Sequence, residues 1–173
     1  MPDETRKAGD YIYDFELKST DGKTYRSAQQ RKESLLLAVF FKIGCSTCRM
    51  TLPFVERLYE RYANGKFQIW GLSQDSAADT AGFTKEIGLK FPLLIDEELK
   101  LTEVYRLDKV PDLYLMGADE NIQQSIHCFD ANALNELAKI AAKASGKEYQ
   151  PVVVPSDEVP PVVYGCGSKH SPR

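Results

Sequence analysis

A chain of 173 residues is long enough for one domain around one hydrophobic core. Hydrophobic residues make up 43%, charged residues 27%, and the net charge is −3. That balance is ordinarily globular and gives no reason to expect nucleic acid or an anionic membrane as a partner. No apolar run approaches the roughly 20 residues a spanning helix needs, and the polar start Met1-Pro-Asp-Glu-Thr-Arg-Lys has no apolar signal-peptide core, so the expected location is the cytoplasm.

In chain order, residues 1–10 are polar and are expected to be disordered. Tyr11 to Leu17 alternates in part, Asp21-Gly22 follows, and Lys23 to Arg26 alternates again, which predicts two short strands around a turn. Residues 27–33 suit a short helical turn. Ser34-Leu-Leu-Leu-Ala-Val-Phe-Phe-Lys is an almost unbroken apolar run, as expected of a strand buried on both faces. Beyond it, apolar residues at 54, 55, 58, 59 and 62 recur at helical spacing, with Pro53 early in the helix as an expected kink and Asn64-Gly65 as its stop.

The same alternation continues. Phe67 to Ser73 reads as a strand, Ser76 to Ile87 as a helix closed by Gly88, and Pro92 to Ile95 as a short strand. Glu98 to Arg106 reads as a short helix and Asp112 to Met116 as a strand. Asn121 to Phe129 reads as its hairpin partner, and Asp130 caps a last helix stopped at Gly146. This order predicts a three-layer α/β domain over 11–146. Residues 147–173 hold five of the nine prolines, with valine islands between them, and read as an extended tail whose valines lie against the domain.

Four cysteines, at 45, 48, 128 and 166, are too few for a disulfide-dense scaffold. Cys45 and Cys48 stand between a buried strand and an amphipathic helix. A thiolate at a helix N-terminus is stabilised by free N–H groups and the helix dipole, which can lower its pKa from about 8.5 to roughly 3.5–7.5. Cys45 is therefore assigned the exposed nucleophile, and Cys48, one turn later, resolves the mixed disulfide. Arg49 and Lys42 add nearby positive charge and read as surface residues.

The segment Phe40-Phe-Lys-Ile-Gly-Cys-Ser-Thr-Cys-Arg-Met-Thr-Leu-Pro resembles the active-site segment of thioredoxin-like proteins. The resemblance is to the TlpA-like thiol–disulfide oxidoreductases, which merge with the redoxin (alkyl hydroperoxide reductase/thiol-specific antioxidant, peroxiredoxin-related) family, and it runs from about Gly9 to Gly146. Asp14-Phe-Glu-Leu, Asp21-Gly-Lys, Trp70-Gly-Leu-Ser-Gln-Asp, Phe91-Pro-Leu-Leu-Ile-Asp and Val110-Pro111 support it. It implies a thioredoxin fold with a central mixed β-sheet flanked by helices, an N-terminal β-hairpin and an extended C-terminal tail. It further implies a cis-proline at Pro111 facing the dithiol, and a Val110 backbone that binds an extended substrate. Pro53 matches the helix-kinking proline of the family.

The chain departs from that pattern at three positions. Val39 replaces thioredoxin's buried acid, Thr51 replaces the glutamate usual in TlpA-like reductases, and Gly44 replaces a tryptophan.

The leading expectation is a dithiol–disulfide oxidoreductase that acts on a protein disulfide or a thiol carrier, as a monomer or weak dimer. A thiol peroxidase is the alternative, with Cys48 attacking peroxide and Cys45 or Cys166 resolving. Phe41 stands where peroxiredoxins carry a proline and weakens that reading. A zinc module through Cys45, Cys48, Cys166 and His170 ranks lower, and a redox-inactive interaction domain is opposed by the intact Cys-x-x-Cys. With no glycine-rich phosphate loop, no nucleotide or flavin cofactor is expected.

Among the remaining candidates, Cys128 reads as a core residue of a strand and His127 as an exposed neighbour. Asp75, Asp79, Glu97 and Glu98 read as a solvated surface. Cys166, in Tyr164-Gly-Cys-Gly-Ser, reads as an idle exposed thiol on a mobile tail or, alternatively, as an auxiliary resolving cysteine that swings to the dithiol.

Overall fold

The computed structural model describes residues 4–169. Its centre is a five-stranded mixed sheet. Leu35–Phe41 (β3) lies in the middle and Phe67–Ser73 (β4) pairs parallel to it. Leu93–Ile95 (β5) continues the parallel side, while Asp112–Met116 (β7) and Gln124–Ile126 (β8) extend the sheet antiparallel on the other. The strand order is β5-β4-β3-β7-β8. The unbroken apolar run of β3 is explained by its place: Leu36 to Phe41 are all buried, because helices cover both faces.

Among the described residues, five α-helices complete the domain: Ser27–Glu33 (α1), Ser46–Tyr62 (α2), Ala77–Ile87 (α3), Lys100–Val104 (α4) and Ala131–Ser145 (α5). Helix α2 buries Leu52, Phe54, Val55, Leu58 and Tyr62, and each such side chain contributes roughly 1.5–3 kcal/mol by leaving water. Pro53 lies inside α2, which continues to Tyr62. Helix α3 starts on the Ser76 hydroxyl, which accepts from the Asp79 N–H at 3.1 Å, and ends at Gly88 with φ 82°. Helix α5 starts on Asp130 and ends at Gly146 in the same left-handed conformation.

The N-terminal hairpin, Glu16–Lys18 (β1) against Thr24–Arg26 (β2), sits at the β5 edge through a Ser19–Leu94 bridge. Phe15 and Tyr25 meet the Trp70 ring edge-on at 6.1 and 5.2 Å. The expected disorder of residues 1–10 is corrected for residues 4–10. The Arg6 N–H donates to the Tyr105 carbonyl at 3.1 Å, Gly9 to Ile122 at 2.8 Å, and the Tyr114 hydroxyl to the Arg6 carbonyl at 2.9 Å. A polar segment docks here because its backbone groups find fixed partners, with Ile12 buried as the anchor behind it.

The tail crosses the domain rather than leaving it. Val152 and Val153 are buried, and the Asn135 side chain accepts from both of their N–H groups at 2.9 and 3.0 Å while donating to the Val153 carbonyl. Arg57 holds the Val152 carbonyl at 2.7 Å and the Asp157 carboxylate at 3.0 Å. Past a 3-10 turn at Pro155–Asp157, Val162–Val163 (β10) pairs with Phe129–Asp130 (β9). The last element, Cys166–Gly167 (β11), pairs antiparallel with Lys109–Val110 (β6). No helix among the described residues is long and apolar enough to cross a membrane.

Candidate active site

Cys45 is the N-cap of α2, with φ −117° and ψ 112°, and its sulfur accepts the Cys48 N–H at 3.0 Å. The chain turns from a buried strand into a helix here, so a free N–H of the first turn of α2, that of Cys48, is capped by that sulfur. The Val110–Pro111 bond is cis, and the Val110 carbonyl receives the Cys45 thiol at 3.5 Å. All four cysteines are free thiols.

The two sulfurs differ in acidity. Hydrogen bonding from the Cys48 thiol comes first, and the Cys166 thiol and the amides of both residues add to it. Together they hold Cys45 down to about 6 against the opposing effect of burial. Burial pushes the Cys48 thiol up, and the hydrogen bond and charge of Cys45 push it further. The negative charge therefore belongs on Cys45 and the proton on Cys48. Thr51, at the glutamate position, is buried and returns its hydroxyl to the Thr47 carbonyl at 2.7 Å, so it offers Cys48 no carboxylate.

One expectation about Cys45 is corrected. It is not exposed: its accessibility is 0%, equal to that of Cys48. The tail lies against this site. Cys166 stands opposite Val110 in the β11–β6 ladder, with its sulfur 4.0 Å from both the Ser46 and Thr47 hydroxyls. Cys166 is thus not freely exposed but half-buried beside the dithiol. Val110, the expected substrate-binding residue, is paired with this strand.

The strand is held along its length. The Thr47 hydroxyl donates to the Tyr164 carbonyl at 2.7 Å, and the Lys42 ammonium to the Gly167 carbonyl. Gln74 donates to the Ser168 hydroxyl at 2.8 Å and accepts the Lys169 N–H at 3.0 Å. Asp75, expected on a solvated surface, instead accepts the Ile43 N–H at 2.8 Å and the Lys169 ammonium at 2.6 Å. Asp79, Glu97 and Glu98 are exposed. Lys42, Thr47, Gln74 and Asp75 were not legible as site residues. The available signal was that Gln74 and Asp75 directly follow the carboxyl end of a parallel strand, where α/β sheets place ligands.

His127 is exposed, as expected, though it lies just past the end of β8, and its Nδ1 is 2.6 Å from the buried Asp112 carboxylate, which also receives the Tyr114 hydroxyl at 3.0 Å. Burial raises Asp112 to about 6, and the Asp112 hydrogen bond in turn raises His127. Cys128 is half-buried, between β8 and β9, rather than in the core. For the zinc expectation, no group of three metal-holding side chains occurs among the described residues, and His170 lies outside them.

The AhpC/TSA family profile matches residues 8–125, which include the whole dithiol segment and cis-Pro111. The chain belongs to the AhpC/TSA family. Thiol-disulfide oxidoreductase ResA of Bacillus thuringiensis (strain Al Hakam) is 26% identical over 125 residues, 71% of each chain. Two solved structures share the thioredoxin fold. The thioredoxin domain of thiol-disulfide oxidoreductase BVU-2223 from Bacteroides vulgatus superposes with a TM-score of 0.68 at 19% identity, covering 78% of this chain and 97% of that one. Peroxidoxin BcpB from Mycobacterium tuberculosis superposes with a TM-score of 0.67 at 19% identity, covering 80% and 97%. This member of the family is an oxidoreductase with a thioredoxin fold. Since both kinds of protein share that fold, the fold does not choose between disulfide and peroxide as the substrate.

Proposed function

We propose that the chain exchanges electrons between its Cys45–Cys48 dithiol and a disulfide on a protein or thiol carrier. The carrying observation is the Cys45 sulfur at the α2 N-cap, 3.0 Å from the Cys48 N–H, with its pKa held down to about 6. In the reductive direction, the Cys45 thiolate attacks one sulfur of the substrate disulfide and the other sulfur leaves as a thiol. Cys48 then loses its proton, attacks Cys45 and releases the second substrate thiol. The Cys45–Cys48 disulfide carries away the two electrons' worth of oxidation. The ResA relatives' thiol–disulfide oxidoreductase activity supports the same reading.

The peroxidase alternative needs a Cys48 thiolate. A buried Cys48 whose thiol is pushed up works against it. Turnover of a model protein disulfide by the full chain, followed by disulfide mapping, separates the two readings. The dithiol reading expects Cys45 joined to Cys48 and background turnover in Cys45→Ser. It is overturned by peroxide consumption that survives Cys45→Ser and disappears in Cys48→Ser.

A further inference from the structure

The tail strand lies where an incoming disulfide would have to be seated. Cys45 attacks only what reaches its sulfur, and the Cys45 sulfur is covered. The element at the cover is an extended strand in antiparallel register with Val110, and the residue of that strand opposite Val110 is itself a cysteine. Cys166 thus presents a third sulfur to the dithiol, with the Ser46 and Thr47 hydroxyls each 4.0 Å from it.

Gly165 explains why the strand can come so close. A Cβ built there would stand 2.5 Å from the Val110 carbonyl oxygen and 3.1 Å from its carbon, against backbone that cannot yield. The flanking contacts from Thr47, Lys42, Gln74 and Asp75 fix the strand on both sides of Cys166.

We propose that the Tyr164–Ser168 strand is an internal substrate mimic and that Cys166 is a third redox thiol, which exchanges with Cys45 during turnover. This rests on the dithiol reading above. The tail lifts to admit the substrate disulfide, and Cys45 forms a mixed disulfide with it, expelling one substrate thiol. As the strand reseats, the Cys166 thiolate attacks the Cys45 sulfur. The Cys45–Cys166 bond forms, the bond to the substrate breaks, and the second substrate sulfur leaves as a thiolate that takes the proton Cys166 gave up. Cys48 then attacks Cys45, forming Cys45–Cys48 and returning Cys166 as a thiol. The sum is one substrate disulfide reduced and one dithiol oxidised, with Cys166 unchanged.

Cys166 suits the first exchange better than Cys48 does. It is half-buried, whereas Cys48 has no accessible surface and its thiol is pushed up, leaving little thiolate at neutral pH.

The test uses the full chain in a Cys128→Ser background, so that only three thiols remain. Cys48→Ser is added to block the last step, and the reduced protein is treated with oxidised glutathione. The proposal expects release of two glutathione thiols per chain, loss of two hydrogens from the intact mass, and a Cys45–Cys166 disulfide on mapping. A stable glutathione adduct on Cys45 with Cys166 still alkylatable overturns it.

Gly165→Val, which keeps both sulfurs but pushes the strand off Val110, is the second arm. It is expected to lose the Cys45–Cys166 disulfide in favour of the glutathione adduct. It should also speed maleimide labelling of Cys45 by about tenfold or more, as for a group released from a locally closed state. An unchanged disulfide yield overturns the role of the strand. The dithiol reading fails separately, if the Cys128→Ser chain with Cys45, Cys48 and Cys166 intact forms no disulfide at Cys45 at all.

Discussion

Thr47 donates its hydroxyl to the Tyr164 carbonyl at 2.7 Å, so the middle of the Cys-x-x-Cys segment grips a residue 117 positions further along the chain. Thr47 is itself buried, and the contact ties the first turn of α2 to the tail. Replacing Thr47 with Val keeps the volume and removes the donor. A net loss of about 1 kcal/mol is expected from a single hydrogen bond. Amide exchange in residues 162–168 should quicken while exchange in β3 and β4 stays as it was, and hydrogen-exchange mass spectrometry reads both.

Cys45 should titrate in the folded chain near its lowered value of about 6. Ultraviolet thiolate absorbance measures this directly, and Cys45→Ser should remove that transition while Cys48→Ser keeps a transition at Cys45. The stability consequence has a definite sign. The unfolded thiol titrates at about 8.5, so the native state binds fewer protons between there and the folded value. Stability from this group is fully present above the unfolded pKa and is lost as pH falls through about 6. Urea unfolding across that window should show wild type gaining on Cys45→Ser as pH rises.

The Asp112–His127 pair acts in the opposite sense. Asp112 is raised to about 6 by burial, so the native state retains a proton that the unfolded carboxyl loses near 3.9. Its contribution makes stability fall as pH rises from about 4 to about 6, and Asp112→Asn should flatten that slope. His127→Ala leaves the buried carboxylate short of a partner and is expected to cost about 1.5–3 kcal/mol near neutral pH, the range for a hydrogen bond to a charged group. Paired denaturation curves of the two variants separate these effects.

Asn135 anchors the tail through one side chain that meets Val152 and Val153 with three hydrogen bonds. Asn135→Ala leaves two buried N–H groups without their acceptor, at an expected cost of about 1–3 kcal/mol. The freed tail should become the first site of limited proteolysis, after Lys147, before the domain itself is cut.

Local patterns in the sequence carried most of the fold. The apolar run of β3, the spacing of Phe54, Val55, Leu58 and Tyr62, the Ser76 and Asp130 caps and the Gly88 and Gly146 stops are each set by neighbours a few residues away, and each lies where the pattern placed it. The dithiol was legible for the same reason, because a strand followed by cysteines and an amphipathic helix is a local arrangement. The polar segment 4–10 was not, since its hydrogen-bond partners at Tyr105 and Ile122 lie far away in the chain.

What the sequence by itself determined is therefore the α/β order of the domain and its Cys45–Cys48 pair, while the resemblance to thioredoxin-like proteins implied the thioredoxin fold and the cis bond at Pro111. Tertiary structure alone decided that Cys45 is covered, that Asp112 has His127 for a partner, and that Cys166 sits opposite Val110. The physical reason is range. Periodicity and capping record contacts within a turn or two. The path of a proline-rich tail is set by separate hydrogen bonds to Arg57, Asn135, Thr47 and Gln74, which no spacing in the tail announces.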